Sequence, residues 1–186
     1  MAQEDLQRNL RKLNRPFFSR GADVVAPDLL GGILSRRVGG VLRQARIIET
    51  EAYVGMHDLA CHASKGRTAR TQAMFGPAGL AYVYFVYGMH CMFNIVTAEE
   101  GNPQAVLLRA AAPLGGWAAD LGGPGKLARA YGITLADMGL DITGDDLYIV
   151  QDTRYHPRIS ITRRIGVEYA GVWRLAPLRF VDRVGL

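Results

Sequence analysis

The sequence predicts an α+β fold: one domain over residues 1–186, built on a mainly antiparallel, curved β-sheet with helices packed around it. Three observations lead there. Two strand-like runs, 33–38 and 41–54, flank Gly39-Gly40, a two-residue loop of the kind that closes a β-hairpin. Further short runs at 80–87, 90–97 and 104–112 are separated by Gly88 and by turn chemistry at 99–103. Helical patterns are few and short.

Taken in order, Leu6, Leu10 and Leu13 repeat at helical spacing among polar residues and predict an amphipathic opening helix that Pro16 ends. A second helix is expected over 22–30, stopped by Gly31 and Gly32. The hairpin follows, and its second arm contains Arg-Ile-Ile-Glu-Thr-Glu-Ala-Tyr-Val at 46–54. Alternation places Ile47, Glu49, Glu51 and Tyr53 on one face of that strand, and Ile48, Thr50, Ala52 and Val54 on an apolar face suited to a core. The 55–79 connection carries His57, Cys61, His62, Lys65, Arg67 and Arg70, with room for two helical turns at 68–75. The strand at 104–112 holds a single charge, Arg109. Pro124-Gly125-Lys126-Leu127 opens a helix to about 131, and 147–151, 158–165 and 172–181 read as short strands joined by arginine-rich turns.

Composition narrows the functional classes. With 49% hydrophobic and 21% charged residues the chain reads as an ordinary soluble domain. The net charge of +5 is unevenly spread. Residues 1–22 hold five basic and two acidic side chains and residues 151–186 hold seven and three, around a nearly neutral middle. Such ends fit an anionic partner, nucleic acid before membrane. The N-terminus shows no secretory pattern, and the longest apolar run, 78–89, is too short to span a bilayer. Cys61 and Cys91, the only cysteines, point to a reducing cytoplasm.

Glu49 and Glu51 on one strand face are unusual, because glutamate is depleted in strands and like charges repel there. Either the face is solvated and paired with arginines, or it carries chemistry. Arg109, alone in Ala-Val-Leu-Leu-Arg-Ala-Ala-Ala, needs a partner if buried, and one of these glutamates is the natural one. Tyr82 and Tyr84 share a strand face, whereas Tyr87 and Met89 flank Gly88 at a turn. They form either a cross-strand aromatic cluster or a stacking platform with a wedge for a base step. His57, Cys61, His62, His90 and Cys91 lack zinc-site spacing, Gly122 to Lys126 fits neither phosphate-loop pattern, and no nucleophile elbow occurs. A sugar hydrolase using Glu49 and Glu51 is conceivable from their separation, but basic ends do not suit a neutral glycan.

These motifs, in this order, resemble the alkyladenine (3-methyladenine) DNA glycosylase family. The match runs through Phe17-Phe18-Ser19-Arg20, Ala26 to Gly31, Glu49-Thr50-Glu51-Ala52-Tyr53, Met74-Phe75, Tyr82 to Met89, Asn94, Leu107 to Ala110, Gly123 to Leu127, and Arg164-Ile165-Gly166-Val167. The resemblance implies excision of a damaged purine flipped out of duplex DNA. Glu51 matches the general base that deprotonates the attacking water, Arg109 a residue that helps hold that water, and the Ile165 carbonyl its backbone partner. Tyr53, His62 and Tyr84 match the pocket for the extruded base. Tyr87, with Met89 beside it, matches the side chain that fills the gap in the stack. Asn94 matches the residue that disfavours normal guanine. No metal or cofactor is expected, nor a lysine nucleophile, so the resemblance implies a monofunctional, monomeric enzyme. Thr71 stands where the family commonly has asparagine, and the chain runs only a little past Leu178-Arg179-Phe180. A non-catalytic nucleic-acid-binding module on the same fold is the rival reading.

Overall fold

The structure, a computed structural model, describes residues 9–86 and 88–184. Among them nine strands join in one sheet, and all of the pairings are antiparallel. They are β1 (Leu10–Lys12), β2 (Ile33–Val38), β3 (Val41–Tyr53), β4 (Ala81–Val86), β5 (His90–Thr97), β6 (Gln104–Pro113), β7 (Leu147–Asp152), β8 (Ile159–Thr162) and β9 (Arg179–Asp182). The order across the sheet is β1-β7-β2-β3-β6-β5-β4, with β9 beside β3 and β8 beside β9. Three short α-helices, α1 (Arg15–Phe18), α2 (Ala22–Asp28) and α3 (Pro124–Ala130), complete the α+β fold. No helix among the described residues is long and apolar enough to cross a membrane.

The β2–β3 hairpin closes through Gly39 and Gly40, both at positive φ (56° and 80°), the backbone that a two-residue turn requires. The hairpin partner lets go early. Arg46 faces Ile33, the end of β2, and beyond it the same edge of β3 is taken by β9 through Glu49–Val181, Thr50–Phe180 and Glu51–Arg179. β6 lines the opposite edge. Residues 49–51 are therefore paired on both sides, which is how a strand holding two glutamates stays rigid.

Strict alternation along β3 does not hold. Ile47 faces Ala111 and Thr50 faces Leu108, but Glu49 faces Ala110, so both strands carry an irregularity there. Below it the core side of β3 is Ala45 and Ile47; above it, Thr50 and Ala52. Ile47 is thus a core residue and does not share the face of Glu49, Glu51 and Tyr53. The same switch moves the core side of β6 from Ala111 to Leu108 and Val106.

α2 packs on β3 and β6, with Ala22, Val25 and Ala26 fully buried. Thr50 on β3 donates its hydroxyl to the Ala26 carbonyl (2.8 Å), satisfying an acceptor near the end of α2. α3 packs on β5 and β6, and Tyr131 just after it is fully buried, its hydroxyl donating to the Leu34 carbonyl at 2.9 Å.

Two expectations need correction. The opening helix is not formed over its described part: Leu10–Lys12 pair with Val150–Asp152 of β7, so tertiary pairing overrides the helical spacing of the leucines. Residues 1–8, including Leu6, lie outside the described residues. Pro16 sits in the first turn of α1 rather than ending a helix, with Asn14 capping the Phe17 amide. The 172–181 run also divides, since Gly171–Leu175 turn as 3₁₀ helix and only Arg179–Asp182 extend.

Candidate active site

The face of β3-β6-β5-β4 opposite the main core lines a pocket of about 370 Å³. Residues two apart supply it: Tyr53 from β3, Leu107 and Arg109 from β6, Asn94 from β5, Tyr82 and Tyr84 from β4. Two loops complete the wall, with His62 from one and Ile165 and Tyr169 from the other. The structure therefore brings together Tyr53, His62, Tyr84, Asn94, Arg109 and Ile165.

Glu51 lies directly behind this wall and has no exposed surface. Its Oε1 accepts the Ile165 backbone N–H (2.8 Å) and its Oε2 accepts the Tyr53 hydroxyl (2.9 Å), while an Arg109 Nη sits 3.4 Å from Oε1. Burial is the largest influence on this carboxyl and raises its pKa. Arg109, the Ile165 amide and Tyr53 oppose it, and the net position stays above the ordinary carboxylate range. Ile165 meets Glu51 through its backbone amide.

Arg109 partners both strand glutamates. Its Nε donates to Glu49 Oε1 at 2.7 Å, and the same oxygen receives Arg179 Nε at 2.6 Å. Burial alone would raise the Glu49 pKa, but the two guanidiniums outweigh it and hold the carboxyl below its usual value. Acid and base behaviour thus diverge between two carboxyls one turn of the pleat apart.

The aromatic wall is internally bonded. His62 Nδ1 lies 2.9 Å from the Tyr82 hydroxyl, and the His62 ring meets Tyr84 edge-on with centroids 4.5 Å apart. Arg70 approaches Nε2 at 3.5 Å and lies over the Tyr84 ring. Arginine can only donate, so Nε2 accepts and Nδ1–H points to Tyr82. Burial, then Arg70 and Lys65, push the imidazole pKa down to about 4, so the ring is neutral. Burial pushes Tyr82 up to about 12 and Tyr84 higher still, so the phenols keep their protons. Asn94 is buried, its amide nitrogen donating to the Tyr82 and Met92 carbonyls (3.1 and 3.3 Å), which fixes the side chain at the wall.

Met89 stands at the tip of the β4–β5 hairpin, 70% exposed, next to Gly88 at φ 65°. Val86 and Met92 at the base of that tip line the pocket, so the turn projects beside its mouth. Tyr87, expected beside Met89, lies outside the described residues.

Sequence reasoning missed a pair that sets the geometry. Arg164 donates to both carboxylate oxygens of Asp58 (2.5 and 2.8 Å), and neither side chain has any exposed surface. Arg164 also donates to the Ala52 and Trp173 carbonyls, and Asp58 also accepts the amides of Val54 and Ala60. This clasp ties the loop carrying Ile165 to β3 and to the turn after it. Its sequence signal was Arg164 as the first residue of the matched Arg164-Ile165-Gly166-Val167 run, with nothing to indicate Asp58 as its partner. Thr71, where asparagine is common, is buried and closes its own loop by bonds to Gly66 and Thr68. His57 packs on Trp173, away from His62 and its aromatic partners, and no set of three or more metal-binding side chains is gathered among the described residues.

Comparison with known proteins completes the picture. Residues 16–184 match the family of the methylpurine-DNA glycosylases (MPG). A protein of Anaeromyxobacter sp. (strain Fw109-5) named "Putative 3-methyladenine DNA glycosylase" is 52% identical over 171 residues, covering 91% of this chain and 88% of that protein. A protein of the same name from Myxococcus xanthus (strain DK1622) is 48% identical over 171 residues, covering 90% and 88%. Another from Legionella pneumophila (strain Lens) is 47% identical over 174 residues, covering 92% and 94%. The chain belongs to the methylpurine-DNA glycosylase family.

Proposed function

We propose that the protein is a DNA-3-methyladenine glycosylase: it extrudes an alkylated or deaminated purine from duplex DNA and hydrolyses its N-glycosidic bond with a water activated by Glu51. The observation that carries this reading is a sealed carboxylate, held by the Ile165 amide and the Tyr53 hydroxyl with Arg109 3.4 Å away, immediately behind a pocket walled by Tyr53, His62 and Tyr84. A binding module has no use for a buried, raised-pKa glutamate facing an aromatic box.

The chemistry follows from the parts. Extrusion costs a few kcal/mol and least for bases that pair poorly, which supplies a first selection. Met89, together with Tyr87, occupies the gap left in the stack and recovers part of that cost. The flipped base lies against Tyr84, Tyr53 and the neutral edge of His62. An N-alkylated purine is cationic, so the faces of these rings attract it and the base departs readily. Asn94 at the wall disfavours the 2-amino group of normal guanine. As the glycosidic bond breaks, positive charge grows on the sugar, and Glu51 stabilises it while accepting the proton of the water. Arg109 opposes the burial that raises the Glu51 pKa, favouring the ionised form, and helps to orient the water, opposite the Ile165 backbone. The product is an abasic site with an intact strand, because the mechanism uses water and no amine nucleophile. The enzyme acts as a monomer in the cytoplasm, on the DNA of the nucleoid.

Duplex DNA treated with a methylating agent tests this directly. The expected products are free 3-methyladenine and strands that break only after alkali. Tight binding with no released base would instead select the non-catalytic module.

A further inference from the structure

Glu49 was absorbed by none of the roles above, yet one of its oxygens accepts from two arginines. Four side chains form a line of alternating charge across three strands: Arg179 on β9, Glu49 on β3, Arg109 on β6 and Glu51 on β3. The contacts are unequal. Glu49 Oε1 takes both arginine Nε groups at 2.6 and 2.7 Å, whereas the Arg109 Nη to Glu51 distance is 3.4 Å.

The backbone explains why the line is built this way. Arg179 faces Glu51 in the β3–β9 register, but its side chain reaches along the strand to Glu49. Arg109 lies at the double irregularity where β3 and β6 switch faces, which sets its guanidinium between the two carboxylates. A guanidinium is a rigid planar fork. Fixing its Nε on Glu49 fixes the plane, and thereby the direction in which the Nη groups point.

We infer that Glu49 and Arg179 are positioning residues for the chemistry at Glu51: Glu49 aims the Arg109 fork, and Arg179 balances Glu49 so that it does not draw Arg109 away. This rests on the reading of Glu51 as the base.

Charge bookkeeping gives the two residues opposite effects. Glu51 is faced by Arg109 from β6, Arg164 from its loop, Tyr53 from β3 and Tyr84 from β4; Glu49 is faced by Arg109 and Arg179. Removing the charge of Glu49 leaves Arg109 wholly to Glu51, which then ionises more easily. Removing the charge of Arg179 leaves Glu49 to compete for Arg109, and Glu51 ionises less easily.

The test is the pH profile of single-turnover base release from methylated duplex DNA, for wild type, Glu49→Gln, Arg179→Gln, Arg179→Lys and Glu51→Gln. Glu49→Gln is expected to lose roughly 10- to 100-fold in rate near neutral pH, because the fork is no longer aimed. Its acidic limb should move to lower pH, and that of Arg179→Gln to higher pH, each by on the order of one unit. Arg179→Lys, which keeps the charge, should leave the limb at its wild-type position. A purely structural role would lower rates without moving the limbs apart; limbs that stay put or move the same way in the two Gln variants overturn the inference. So does an Arg179→Lys limb that follows Arg179→Gln. Thermal melts of each variant exclude unfolding as the cause of a lost rate. If Glu51→Gln itself still releases base, the assignment of Glu51 fails, whatever the other variants do.

Discussion

Asp58→Asn is the substitution whose consequence can be worked furthest from the structure. Every bond to the Asp58 carboxylate is donated to it. Oδ2 receives Arg164 Nη1 and the Val54 amide, and Oδ1 receives Arg164 Nη2 and the Ala60 amide. An asparagine has one oxygen, so whichever way its amide lies, two donors face an NH2. The Arg164 guanidinium is meanwhile left uncompensated at a site with no exposure. Breaking a buried pair from one side costs about 3–5 kcal/mol. For a chain of this length, at roughly 2–4 °C per kcal/mol, the midpoint of thermal unfolding should fall by about 6–20 °C. Scanning calorimetry, with urea titration to check that the denaturant slope is unchanged, measures this. Base release should fall as well, at a temperature where the variant is still folded. Arg164 adjoins Ile165, whose amide holds Glu51 at 2.8 Å, and a displacement of about 1 Å can cost on the order of 100-fold. A midpoint lowered by less than about 2 °C, a change typical of exposed pairs, would refute the argument that this clasp holds the site together.

Three other substitutions address separate parts of the account. Tyr53→Phe removes one of the donors to Glu51, so the acidic limb of base release should move upward and the rate fall about 10-fold with DNA binding unchanged; a limb that moves down contradicts the role. Met89→Ala, at a 70% exposed position, should change stability by under about 0.5 kcal/mol in a denaturant titration while slowing excision from duplex DNA, and equal excision rates would remove Met89 from the wedge. His62 supplies a pH test of stability. Its folded pKa of about 4 lies below the ordinary 6.5, so between these values the unfolded chain binds a proton that the folded one refuses. Stability should therefore fall as pH drops from 6.5 to 4, by roughly 1–2 kcal/mol after solvent screening, and His62→Gln should flatten that part of the curve. Parallel curves for the two proteins would count against a neutral, half-buried ring.

How much of this was legible depended on the range of the interaction. The Gly39-Gly40 hairpin and the strands at β4, β5 and β6 rest on local turn chemistry and alternation, and their bounds follow the sequence closely. The pairing of Arg109 with the strand glutamates was legible because a lone arginine in an apolar run needs a counter-charge. That it meets both, and Glu49 more closely, depends on the irregular β3–β6 register, which belongs to two strands at once. β1 departs from the expected helix because local leucine spacing carries no information about β7, whose pairing with Leu10–Lys12 holds that stretch extended. Asp58 and Arg164 stand 106 residues apart, in loops with no periodic pattern, and their burial is a product of the finished fold.

The central claim is that Glu51 activates the water, and single-turnover kinetics on duplex DNA test it most directly. One substrate carries a single hypoxanthine, the other is methylated DNA, and wild type is compared with Glu51→Gln while DNA binding is titrated for both. Wild type should free the damaged base, and Glu51→Gln should bind with similar affinity but release none. Release by Glu51→Gln at a rate near that of wild type would contradict the central claim.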